Sequence, residues 1–171
     1  SHARGFRMRQ MMIRVFAIAG LLTASATAIH AEEAWMHESG EDEMLYQESG
    51  NTIKDEYATK DVTPRLEFHC SPGDPAVTAR IDWQRFISSF STEVGFKVDD
   101  GKFTWLKWKV DGSEKVTLSP SPDDTQKLID AMAAGSQLLV DVTPYSEGPV
   151  TVTYELAGFA DALETLKAAC Q

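Results

Sequence analysis

The chain has 171 residues, 43% hydrophobic and 25% charged, with 16 Lys+Arg against 26 Asp+Glu and a formal net charge of -10. These proportions belong to a globular protein and exclude a collagen-like or largely disordered one. All four charges of the first 31 residues are arginines, so the rest holds 12 basic against 26 acidic residues, net -14; a body that acidic disfavours nucleic acid and anionic membrane surfaces as partners, since both are bound through Lys and Arg lining a groove.

Residues 8–31, MRQMMIRVFAIAGLLTASATAIHA, join a basic start to an apolar run and then small residues, the pattern of a secretory signal peptide. The run from Val15 to Leu22 is short beside the roughly 20 apolar residues of a spanning helix. Cleavage is expected after Ala31, with Ala28 a second candidate, and Ser1–Arg7 precede the first methionine as an extension. No cysteine follows either cut, so the mature chain is expected to be exported, soluble and free of a lipid anchor or membrane insertion.

Residues 32–63 form an acidic arm. Ten acidic residues and two lysines lie between Glu32 and Val62, and charge repulsion with sparse apolar anchors predicts loose structure, one strand near Glu43–Gln47 docked by Trp35 and Tyr46. The folded domain is expected over residues 64–171. Leu66, Phe68 and Cys70 alternate with Arg65, Glu67 and His69, and Val77, Ala79, Ile81 and Trp83 repeat the period of two across a Ser71–Pro75 turn. Gln84–Phe90 reads as a helical turn carrying Phe86 and Phe90. Val94–Val98 and Phe103–Val110 flank Asp99-Asp100-Gly101-Lys102, where Asp-Gly predicts a tight hairpin with positive φ. Asp111-Gly112 turns into Lys115–Leu118. Ser121, Pro122 and Asp124 mark a helix start and Gly135 its end. Strands at Gln137–Thr143 and Val150–Leu156 follow, then a helix over Phe159–Cys170 whose stripe is Phe159, Leu163, Leu166 and Cys170. The sum is a single α+β domain: an antiparallel sheet of about six to eight short strands, β-sandwich-like, covered by two helices.

Cys70 and Cys170 both point from apolar faces, and export supplies an oxidant, so one disulfide clipping the last helix to the sheet is expected; two separate buried thiols are the alternative. The strand from Phe103 to Val110 carries a tryptophan on each face. Trp105, Lys107 and Lys109 share one of them and form a possible partner-contact patch. Packing of Trp105 beneath a helix or against Trp35 is the competing reading, since large aromatics are mostly buried.

No catalytic residue, cofactor or metal is expected. His37 and His69 alone survive signal removal; His69 alternates with apolar residues as a surface strand histidine does, and a hydrolase would need it in a pocket beside a serine and a carboxylate. Glu41-Asp42-Glu43 and Asp99-Asp100 lack the spacing of a calcium loop.

The order of motifs, Leu66 to Cys70, Val94 to Trp105, Thr143 to Tyr145 and Gly158 to Cys170, resembles the VasI/TagO-like periplasmic proteins associated with type VI secretion. The likeness extends over residues 64–171. It implies a periplasmic accessory protein of a Gram-negative envelope, without assigned catalytic residues, whose partner is an envelope or secretion-apparatus protein. A small-ligand-binding or inhibitor module is the alternative within the same fold.

Overall fold

Over residues 65–70 and 77–82, where apolar and polar residues alternate, the chain forms strands whose apolar positions turn inward. A computed structural model describes residues 34–171; the proposed signal peptide lies outside the described residues. Eleven strands and two helices follow one another along these residues: β1 (Met36–Ser39), β2 (Glu43–Glu48), β3 (Ile53–Asp55), β4 (Lys60–Val62), β5 (Arg65–Ser71), β6 (Asp74–Asp82), β7 (Ser91–Val98), β8 (Thr104–Val110), β9 (Val116–Leu118), α1 (Pro122–Ala133), β10 (Gln137–Val142), β11 (Val150–Glu155) and α2 (Phe159–Ala169). Nine strands make one antiparallel sheet in the order β1-β2-β5-β6-β9-β8-β7-β10-β11, and β3 pairs with β4 separately. The sheet is larger than the six to eight strands expected, and it is one curled sheet where a sandwich was anticipated.

The curl brings its far side back to its start. The side-chain amide of Gln47 donates to the Glu155 carbonyl at 2.8 Å and accepts from the Glu155 N–H at 2.7 Å. Asn51 donates to the Thr151 carbonyl at 2.9 Å and accepts from the Thr153 N–H at 3.0 Å. Between them the Gly50 N–H reaches the Thr153 carbonyl at 2.8 Å. Two amide side chains and one backbone group thereby act as a surrogate strand along the outer edge of β11, satisfying groups that would otherwise be left open.

Residues expected to be a loose arm therefore belong to the architecture. They supply β1 to β4, the closure of β11, and the buried Trp35, whose ring lies 5.0 Å from that of Phe159 and 6.1 Å from that of Phe68. The anticipated strand at 43–47 is β2, paired with β5 from Glu43↔Cys70 to Glu48↔Arg65. Most of their charges are exposed, Asp55 being buried with its carboxylate accepting from the Tyr57 and Ala58 N–H groups, so repulsion is screened by water and does not oppose pairing.

The core fills the concave side. Leu66, Phe68, Ala79, Ile81, Trp83, Val94, Trp108, Leu138, Val140, Val142 and Val152 are buried there, and the indole of Trp83 donates to the Thr117 hydroxyl at 3.0 Å. α1 starts as expected, with the Ser121 hydroxyl accepting from the Asp124 N–H at 3.1 Å and Pro122 in the first turn; Leu128, Ile129 and Met132 are its buried face. α2 begins at Gly158, left-handed at φ 78°, and buries Phe159, Leu163 and Leu166. Cys70 and Cys170 are bonded, their Cα atoms 6.1 Å apart, and the bond fixes α2 to β5. No helix among the described residues is long and apolar enough to cross a membrane.

Two local expectations are corrected. Gln84–Phe90 is not a helical turn: Gln84 sits at φ 57°, Phe90 is exposed, and the segment runs as an irregular loop between β6 and β7. Arg85 holds this conformation: its buried guanidinium donates to the carbonyls of Lys54 and Phe86 at 2.6 and 3.0 Å and pairs with Glu147, tying its own loop to β3 and to the β10–β11 loop. In the β7–β8 hairpin the positive φ falls on Asp99 rather than on Gly101. The Asp99 carboxylate accepts from the Ser136 and Gln137 N–H groups, so this turn also anchors the start of β10.

Candidate interaction surface

On the convex side, β8 presents Trp105, Lys107 and Lys109 outward while Trp108 is buried inward. Trp105 is 48% exposed, in contrast to Trp35, Trp83 and Trp108 at 6% or less. It packs under no helix. Its partner across the β7–β8 ladder is Gly95, and a Cβ built there would stand 2.9 to 3.0 Å from the indole carbons Cε3, Cζ3 and Cη2. The indole is therefore laid against the bare backbone of β7, in space that any other residue at 95 would claim. Phe103 stacks beside it, with ring centroids 5.7 Å apart and planes 28° apart, and the Lys97 ammonium lies 5.7 Å from the Phe103 centroid. None of Lys97, Lys107 and Lys109 forms an ion pair among the described residues.

The next strands extend this face with polar groups. Glu93 stands opposite Lys107, Asp141 of β10 opposite Gly95, and the Thr151 hydroxyl donates to the Asp141 carboxylate at 2.6 Å. The arrangement is an open aromatic surface rimmed by three cations, two carboxylates and a hydroxyl.

A second polar group lies on the convex side of β5. Glu67, expected on a solvent face, is 6% exposed. It is covered by its own neighbours: Arg65 Nε donates at 2.8 Å, His69 Nε2 lies 2.8 Å away, and Tyr46 and Arg80 are its cross-strand partners. Arg65 in turn lies over the Tyr46 ring at 4.8 Å. Burial pushes the Glu67 carboxyl pKa up, but the hydrogen bond from His69 and the charge of Arg65 outweigh it and hold the group below its ordinary value. The Arg-x-Glu-x-His alternation over residues 65–69 carried this signal, since opposite charges two residues apart share a strand face. The buried Arg85 had no comparable signal.

His69 also borders a hollow containing Asp42, Ser71 and Asp74. The Ser71 hydroxyl donates to Asp42 at 2.7 Å, and the imidazole is held by Glu67. Serine and histidine are thus each committed to a different carboxylate, and no hydrogen bond joins them as a nucleophile–base pair would require. Among the described residues no three His, Cys, Asp or Glu side chains converge as a metal site.

Comparison with known proteins replaces the resemblance to VasI/TagO. The family model described as Invasion associated locus B (IalB) protein matches residues 89–167, from the loop before β7 to within α2. Nothing found points to VasI/TagO or to type VI secretion. The shared motifs were short runs of strand and helix pattern, which unrelated α+β domains can meet equally well. No curated protein matches the chain. Among solved structures, the crystal structure of invasion associated protein B from Bartonella henselae is similar at 15% identity and a TM-score of 0.46, over 78% of this chain and 96% of that one.

Proposed function

We propose that this chain is an exported accessory protein of the bacterial envelope that acts by binding a partner and catalyses no reaction, and that the Trp105 face is its contact surface. The signal-like segment at 8–31 and the match to a family named for invasion support export, and the periplasm is the compartment this reading assigns. The observation that carries the contact surface is a tryptophan left open to solvent on a rigid strand while three others are buried. Tryptophan is among the residues most enriched at binding hot spots, and the lysines beside this one supply a charged rim.

The test is retention of an envelope component on immobilised protein. Trp105→Ala with Lys107→Glu is expected to abolish retention while far-UV circular dichroism stays unchanged, because neither side chain contributes to the concave core. A folded double variant that retains the component as well as the parent does would overturn the reading.

A further inference from the structure

We propose that the ligand of the Trp105 face is an acidic glycan, a chain of pyranose rings bearing carboxylates, with one ring stacked on the indole and its carboxylates met by Lys97, Lys107 and Lys109. This rests on the reading of that face as the contact surface and adds the chemistry of what it holds.

The platform is flat and backed. Three carbons of the indole's six-membered ring are almost equidistant from the Cβ position of Gly95, so one ring face lies on the strand and the other faces outward. A pyranose presents a patch of C–H bonds, the axial hydrogens of an all-equatorial ring or the C3, C4 and C5 hydrogens of a galacto-configured one, and such positively polarised hydrogens pack on the negative face of an aromatic ring. Its rim is hydroxyl, and the platform's rim offers the Glu93 and Asp141 carboxylates and the Thr151 oxygen, whose proton is given to Asp141, as acceptors. Charge selects among glycans. On a chain of net charge -10, this rim is locally cationic: Lys97, Lys107 and Lys109, without ion pairs among the described residues, outnumber Glu93 and Asp141, an excess that favours carboxylates over cations. Phe103 stacks with Trp105, and Lys97, over the Phe103 ring, places a cation beside the platform.

Trp105 supplies its own readout. Because Trp35, Trp83 and Trp108 are buried, acrylamide quenching of fluorescence reports mainly on Trp105. The chain is titrated with three probes: an oligogalacturonate, the neutral cellohexaose, and polyglutamate, which has the charge without the rings. Oligogalacturonate is expected to shield the quenchable tryptophan, cellohexaose to need about tenfold higher concentration, a difference of about 1.4 kcal/mol, and polyglutamate not to shield it. Replacing Lys97, Lys107 and Lys109 with Gln should weaken oligogalacturonate about tenfold or more while leaving the response to cellohexaose unchanged. Calorimetry on Trp105→Ala, folded by circular dichroism, should show no binding of either glycan.

Absence of shielding by oligogalacturonate overturns the proposal. So does equal shielding by polyglutamate, which reduces the face to charge, or by cellohexaose, which removes the lysines from recognition. If no glycan binds yet the Trp105→Ala, Lys107→Glu variant still loses its envelope component, the partner is a protein and the glycan assignment falls alone. If retention is also unaffected, the contact surface itself falls.

Discussion

Glu67 shows how a surface pattern can yield a buried charge. Alternation places Glu67 on the solvent side of β5, and the structure keeps it there, but Arg65, His69, Tyr46 and Arg80 are all bulkier and close over it. Period-two reasoning reports which side a residue faces and says nothing about the height of its neighbours. The arrangement has a pH consequence. A carboxyl whose folded pKa lies below its unfolded value stabilises the fold above the unfolded pKa, and that contribution is lost as pH falls through the folded one. Stability should therefore decline from about pH 4 downward. Glu67→Gln is expected to cost roughly 1–3 kcal/mol at pH 7, since Arg65 loses its ionic partner, and to flatten the acid limb of the profile. Urea unfolding midpoints between pH 3 and pH 7 measure both effects.

At the level of elements, strands with alternating apolar residues were legible and the devices that join them were not. β5, β6, β7, β10, β11 and both helices follow from periodicity, caps and turns, because those signals act over a few residues. The closure of β11 depends on Gln47 and Asn51 reaching backbone groups 100 to 108 residues away, and an amide in an acidic stretch announces nothing of that kind. The loop at 84–90 misled because Phe86 and Phe90 have helical spacing, whereas Arg85 holds the conformation through its buried bonds. Replacing Gln47 and Asn51 together by Ala should free the Thr153 and Glu155 N–H groups. Hydrogen exchange at those two amides is expected to accelerate, with those facing β10 less affected, and stability to fall by about 1–3 kcal/mol per lost amide.

For the whole molecule, composition was a poor guide to where the fold begins. The acidic stretch reads as an arm, yet Trp35 and Leu45 are buried in the same core as Phe159 and Leu163. Most of its charges are tolerated because they are exposed, in turns and on strand faces, and the buried Asp55 is held by backbone N–H groups, which a count of residues cannot resolve. The candidate surface was legible in its residues, Trp105, Lys107 and Lys109, but not in its geometry: the flat indole depends on Gly95, which in sequence is only a glycine within a strand. The clip between sheet and last helix was readable, since both cysteines sit at apolar positions of strong patterns. Replacing both Cys70 and Cys170 with Ser is expected to lower stability by about 2–5 kcal/mol and to loosen α2 first, seen as faster exchange of its amides.

That same bond imposes an order in time. Cys70 emerges from the ribosome 100 residues ahead of Cys170, and everything from β6 to α2 is made in between. At about 5–20 residues per second, the leading thiol waits on the order of seconds to tens of seconds before its partner exists. In an oxidising compartment an unpaired Cys70 on an unfinished sheet would pair with thiols of other chains, whereas in a reducing one it stays a thiol. A partly extended chain kept in a reducing environment until α2 arrives escapes that fate, so the timing of oxidation, as much as its strength, decides how many molecules reach the closed form.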